Sequence, residues 1–233
     1  MELEFTADRS PADIADCVYR DGLALVRGHY DRTLIAAIAD AARRRYLAED
    51  LLVRQGKLEP NRYRTIAIAE IVIDGRPAAE HLVTELARFV AGVCLETTAP
   101  AVQQSYVRRA DLDDPNLQLP FHQDSRILGV PLVNLWIPLS DCGRDLPGLE
   151  VVTQRIDGLI STLPHGSPGN LYADHGIEID AATVLAGFPG SLWHPEFATG
   201  DVLMFRGTTV HRTHVTPGMT GGRMSIDLRL VVP

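Results

Sequence analysis

The stretch "GDVLMFRGTTVHRTHVTPGMTGGRMSIDLRLVV", residues 200–232, decides the fold. Three short runs, "DVLMF", "TTVHRTHV" and "RMSIDLRLVV", are rich in apolar and β-branched residues and are separated by Gly, Pro and Thr, the pattern of strands joined by tight turns. The same character reaches back to residue 101 through "AVQQSYV", "RILGV", "LVNLWIPL", "LEVV" and "SLWH". Residues 101–233 therefore read as an all-β half of about eight short strands.

The first hundred residues read mainly as helix. Ser10 stands as an N-cap, Pro11 at the first helical position and Gly22 as the stop of a segment ending near Asp21. A short strand "LALVR" follows, and Asp31 then caps a helix whose Leu34, Ile35, Ile38 and Ala42 recur at helical spacing. A third helix is expected from about Ala79 to Leu95, with an apolar stripe through Leu82, Val83, Leu86, Phe89, Val90, Val93 and Cys94. Helices followed by many short strands predict a mainly β architecture with flanking helices, a double-stranded β-helix (jelly roll, cupin-like) whose N-terminal helices pack on one sheet. One domain is expected over 1–233, with 1–100 as mainly helical support and 101–233 as the jelly-roll core. Stretches 109–120 and 154–190 are expected as long loops over one end of the barrel, where substrate contacts commonly sit.

Composition narrows the function. With 45% hydrophobic and 22% charged residues the chain belongs among globular proteins with a packed core. A net charge of -8, with no basic stripe longer than "ARRRY", argues against a nucleic-acid partner. No leader or membrane span is expected, because the N-terminus lacks a basic start and the apolar segment 82–95 is broken by Glu85 and Arg88. Cys17, Cys94 and Cys142 are odd in number and outside any CxxC pattern, as in a reduced cytoplasmic chain.

The chemistry starts at "QLPFHQDSRILG", residues 118–129, where His122 and Asp124 flank one residue. With 8 His and 19 Asp in 233 residues, roughly one such pair arises by chance, and "GHYD" supplies a rival in His29 and Asp31. If "PFHQDS" is extended, residues i and i+2 share a face and the imidazole and carboxylate converge. A distant second His would complete a 2-His-1-carboxylate triad that binds Fe(II) and leaves positions open. His211 and His214 both offer it, on opposite faces of a regular strand.

The ordered set "FHQD", "NLWIPLSDCG", "LPGLEVVTQ", "TGDVLMFRGTTVHRTHV" and "GGRMSIDLR" resembles the phytanoyl-CoA dioxygenase-like family of Fe(II)/2-oxoglutarate-dependent oxygenases. The resemblance covers residues 101–233, and "VVTQ" departs from the family's usual "VVPGSH". It implies a metal set of His122, Asp124 and His211, the last ten residues after Asp201, with Arg223 and Ser225 gripping the far carboxylate of 2-oxoglutarate. Trp136 matches a family position near the co-substrate, and Gln104, on a strand ahead of the motif, is a further polar contact. The cofactors implied are Fe(II), 2-oxoglutarate as co-substrate and O2. The implied reaction is hydroxylation of an unactivated carbon of a small metabolite, with release of succinate and CO2. The carboxylate of Asp124 favours this over halogenation, since related halogenases resemble this motif with a small residue there.

Two alternatives share the fold: a cupin-like metalloenzyme that does not require Arg223, and a non-catalytic small-molecule-binding protein. Arg229 is the weaker rival to Arg223. Arg62, Arg64, Arg108 and Arg109 are expected on a solvated face, His194 with Glu196 as structural, and His29, His81, His165 and His175 as loop or structural histidines. The substrate is not legible.

Overall fold

Strand alternation divides the residues of the large sheet into two sets, and that division places the site. The computed structural model describes residues 2–59, 63–112, 118–168 and 170–233, so Arg62 lies outside the described residues. In chain order the elements are β1 (Glu4–Thr6), α1 (Pro11–Asp21), β2 (Leu23–Arg27), α2 (Arg32–Arg54), β3 (Thr65–Ala67), β4 (Val72–Ile73), β5 (Arg76–Pro77), α3 (Ala78–Leu82) and α4 (Glu85–Leu95). There follow β6 (Ala101–Val102), β7 (Tyr106–Ala110), α5 (Asp124–Leu128), β8 (Leu132–Pro138), β9 (Gly148–Val152), α6 (Ala181–Gly187), β10 (Leu192–Trp193), β11 (Val202–Arg206), β12 (His211–His214) and β13 (Arg223–Val231).

An eight-stranded sheet runs β1-β2-β11-β8-β13-β7-β3, with β6 also paired to β13, and a three-stranded sheet runs β10-β9-β12. On β13, Ile226, Leu228 and Leu230 join Val133, Leu135 and Ile137 of β8 and Val202 and Met204 of β11 in a core shared with the helices. The alternate residues of the same strands turn to the other face. There Leu23, Leu25, Trp136, Leu203 and Phe205 of the large sheet meet Leu149 and Val151 of the small one. The arrangement is two facing sheets with helices covering the outer face of the larger, as period-2 patterning on a two-sided sheet requires.

Local chemistry explains the helix ends. Gly22 closes α1 at φ 94, a left-handed position that favours glycine. Asp31 accepts hydrogen bonds from the Thr33 and Leu34 amides, so the rival HxD pair is a helix cap, and His29 Nε2 contacts Thr84 Oγ1 at 3.0 Å.

Three expectations change. The predicted third helix is two, because Thr84 caps a new start, its hydroxyl accepting from the Ala87 amide. The buried face of α4 is Ala87, Val90, Ala91 and Cys94, while Phe89 and Val93 are exposed. "RILGV" is mostly helix: α5 runs from Asp124 to Leu128 and stops at Gly129, φ 71. The N-terminal hundred residues also do more than support, since β1, β2 and β3 are strands of the large sheet.

Candidate metal and co-substrate site

His122 and His211 meet through their backbones. They form an isolated antiparallel bridge, each amide donating to the other's carbonyl at 3.0 and 3.1 Å. This brings the imidazoles to 4.2 Å between ring centroids. Each Nδ1 is turned to a nearby carbonyl, His122 to Pro120 at 2.8 Å and His211 to Thr209 at 3.0 Å. With Nδ1 donating there, each Nε2 presents a lone pair, the tautomer a metal ligand needs. Burial first, then the neighbouring His211, pushes the His122 pKa down to about 3, so the ring stays neutral.

Asp124 approaches from α5 rather than from a strand. The chain is extended through Gln123, φ -127 and ψ 125, and turns helical at Asp124. The expected convergence with His122 holds, but a helix start supplies the carboxylate. A ligand atom from each of His122, Asp124 and His211 lies within 4.8 Å of the others, and all three residues are buried. His211 Nε2 is 3.5 Å from Asp124 Oδ2.

The carboxylate is fixed on both oxygens. Asn134 Nδ2 donates to Oδ2 at 2.6 Å and Arg229 Nη2 to Oδ1 at 2.8 Å. Asn134 and Arg229 are cross-strand partners on β8 and β13, so one rung of the sheet clamps the acid. Burial opposes ionisation, yet the Arg229 guanidinium and the Asn134 amide hold Asp124 well below the usual carboxylate range.

Arg223 lies at the other end of the same face. Its guanidinium is 4.8 Å above the Trp136 ring, donates to the Ser225 hydroxyl and reaches the Gly148 carbonyl at 3.4 Å. The residue is 4% exposed, its Nε has no partner, and among the described residues it forms no ion pair. Burial lowers its pKa, the mark of a charge stripped of water without a counter-ion. A dicarboxylate would repair that deficit: a carboxylate takes a guanidinium bidentately, and the Ser225 hydroxyl adds a third contact.

These groups share one cavity of about 370 Å³, lined also by Trp136, Leu149, Phe205 and Thr213. The residues present therefore fit a divalent ion with a dicarboxylate co-substrate: two imidazoles with free Nε2, one clamped carboxylate, and a buried cation with an orphaned donor. Gln104 borders the cavity but is not on a strand. It sits between β6 and β7 at φ 40, its side chain is exposed, and its backbone carbonyl accepts from Arg229 Nη1 at 2.7 Å.

Several residues were read differently from sequence. Arg108 is buried in the cavity wall, with Nε on Asp227 at 3.0 Å and Nη1 on the Tyr172 hydroxyl at 2.5 Å. Arg64 and Arg109 are partly exposed and pair with Asp50 and Asp111, as the solvated reading expects. His175 lines the cavity and contacts the Tyr63 hydroxyl at 2.7 Å. His214 turns away from His211, stacks on His194 at 4.5 Å and lies near Glu150, which Arg212 engages at 2.5 Å. This outer cluster stands apart from the triad. Asn134 was missed, although it lies two residues before Trp136 and therefore on the same strand face.

No family model matches the chain, and no curated protein matches it. Solved structures do. AviO1 from Streptomyces viridochromogenes Tue57 is similar with a TM-score of 0.63 and 19% identity, over 96% of each chain. SnoN, a non-heme alpha ketoglutarate dependent epimerase from nogalamycin biosynthesis, is similar with a TM-score of 0.60 and 17% identity, over 95% of this chain and 82% of its own. A second structure of SnoN holds Fe3+, alpha ketoglutarate and nogalamycin RO, and matches with a TM-score of 0.60 at 16% identity. At these identities the likeness shows a shared fold, and through it these structures are similar to this chain along most of its length.

Proposed function

We propose that the protein is a non-haem Fe(II)- and 2-oxoglutarate-dependent oxygenase on a double-stranded β-helix, and that it hydroxylates a carbon of a small molecule. One observation carries the reading: a buried His122, Asp124 and His211 triad shares a cavity with the buried, carboxylate-free Arg223. The likeness to SnoN, solved with Fe3+ and alpha ketoglutarate, supports it. A cupin-like metalloenzyme would have no use for a desolvated guanidinium at that place.

His122, Asp124 and His211 would hold the ion on one side, leaving its remaining positions toward the cavity. Arg223 and Ser225 would bind the C5 carboxylate of 2-oxoglutarate, with Trp136 beneath the guanidinium. Leu149 and Thr213, opposite one another on β9 and β12, lie between the His211 and Arg223 ends of that path. The register from Val151, opposite His211, to Gly148 spans three residues, on the order of 10 Å. When bound, the metal supplies oxidative cleavage of a C-H bond with dioxygen, coupled to loss of CO2 from the co-substrate to give succinate. Trp136, Leu149 and Phe205 give the cavity an apolar part beside the triad, and Asn134 and Arg229 keep Asp124 ionised and aimed.

Anaerobic titration with Fe(II) and then 2-oxoglutarate should raise the weak visible absorption of the chelate. Absence of that band sinks the assignment. With a substrate in hand, product mass separates hydroxylation, which adds one oxygen, from an epimerisation such as that of SnoN, which adds none.

A further inference from the structure

The cavity holds more positive charge than the proposed iron and co-substrate consume. Among the described residues lining it, the guanidiniums of Arg108, Arg126, Arg223 and Arg229 face the carboxylates of Asp124 and Asp227. Arg229 is matched by Asp124 and Arg108 by Asp227. A divalent ion and a doubly charged 2-oxoglutarate cancel in net charge, so two positive charges remain: Arg223, which the far carboxylate of the co-substrate would contact, and Arg126, which neither ligand is proposed to contact. Arg126 is left over.

Arg126 lies two residues beyond Asp124 in α5, and both line the cavity. Its Nη2 donates to the Ile160 carbonyl at 2.9 Å, which fixes the side chain without neutralising it. Its Nε is buried and has no partner, and among the described residues no carboxylate pairs with it. Arg108, which lines the same cavity, uses Nε and Nη1 on Asp227 and Tyr172, and Tyr172 stands 5.6 Å from the Tyr63 ring. A guanidinium anchored by one nitrogen and short of acceptors, in a cavity also lined by the Tyr63 and Tyr172 rings, suits an organic anion with an apolar body.

We propose that Arg126 is the specificity residue for the substrate, and that the substrate is a small organic anion whose carboxylate or phosphate it binds. This rests on the function proposed above, because Arg223 counts as occupied only if 2-oxoglutarate is there. The anion would sit on the triad's side of the cavity, with its carbon body running along Tyr172 and Ile177.

The test uses nickel-substituted protein saturated with 2-oxoglutarate, which blocks Arg223, and calorimetry with benzoate, phenyl phosphate and benzyl alcohol. At least one of the two anions should bind ten times more tightly than the alcohol, and which one does assigns carboxylate or phosphate. Arg126→Gln should remove the preference, and Arg126→Lys should keep part of it, with 2-oxoglutarate affinity unchanged in both as the check on folding. No anion binding, equal binding of benzyl alcohol, or an undiminished preference in Arg126→Gln overturns the proposal. Loss of 2-oxoglutarate binding in the wild-type protein, with the Arg126-dependent preference intact, instead overturns the function and leaves the anion site standing.

Discussion

Arg223 and Arg229 stand on the same face of β13, each 4% exposed, and the protein treats them in opposite ways. Arg229 meets Asp124 at 2.8 Å and the Gln104 carbonyl at 2.7 Å. Arg223 has a ring, a hydroxyl and a distant carbonyl, but no carboxylate. Desolvating a guanidinium costs several kcal/mol, which a paired anion offsets and a ring does so only in part. A buried charge the protein balances itself is architecture; one it leaves unbalanced marks where a ligand must bring the counter-charge.

The largest effect should come from breaking the balanced end. Arg229→Met leaves Asp124 buried with one partner gone, and such unpairing costs about 3–5 kcal/mol. Urea denaturation of the metal-free protein measures it. A loss smaller than that of Arg223→Met would break the comparison.

The opposite result is expected at the unbalanced end. Arg223→Met should leave the ligand-free protein as stable as wild type, or more so by about 1 kcal/mol, because an uncompensated charge is replaced by an apolar chain. Its cost should appear only in binding, as a roughly hundredfold weaker 2-oxoglutarate, about 3 kcal/mol, with iron affinity kept. A destabilised variant with normal co-substrate affinity would reverse the assignment of the two arginines.

That difference could not be read from sequence, and the reason is nonlocality. Both arginines sit in "GGRMSIDLRL", and their spacing from His211 favours Arg223, but what separates them is Asp124, 105 residues from Arg229 in sequence. Strands with sustained alternation were legible: "LALVR" is β2, "LVNLWIPL" contains β8, and "RMSIDLRLVV" contains β13. That His122, Asp124 and His211 come together was legible too, from the ordered set of motifs rather than from HxD, which chance also supplies in His29 and Asp31. Its geometry was not, since the five-residue α5 is too short to show a period and its Ile127 and Leu128 imitate a strand. Arg108 failed for the same cause. Adjacent to Arg109, it reads as a solvated pair, yet alternation sends one inward to Asp227 and Tyr172, 119 and 64 residues away.

Ser225 offers a finer measurement at the Arg223 end. Fully buried and bonded to Arg223, its hydroxyl would contribute one hydrogen bond to a bound carboxylate. Ser225→Ala should weaken 2-oxoglutarate about tenfold, since a hydrogen bond to a charged group is worth roughly 1.5–3 kcal/mol and water replaces part of it. An unchanged affinity, read from the chelate band, would place the far carboxylate elsewhere in the cavity.

The smallest effect is expected at Gln104, and it bears on which end the co-substrate occupies. Its place ahead of the HxD motif suggests a polar contact from this residue, but its carbonyl is committed to Arg229 and its side chain is exposed. Truncating the side chain leaves that carbonyl in place, so Gln104→Ala should change 2-oxoglutarate affinity by less than about twofold and stability by less than about 0.5 kcal/mol. Its φ of 40 is a left-handed conformation that costs a non-glycine residue on the order of 1 kcal/mol, so Gln104→Gly should be tolerated as well. A tenfold loss in Gln104→Ala would mean that the co-substrate extends over the Arg229 end. The unbalanced guanidinium would then be waiting for a different anion, and the contrast between the two ends of β13 would have to be drawn the other way.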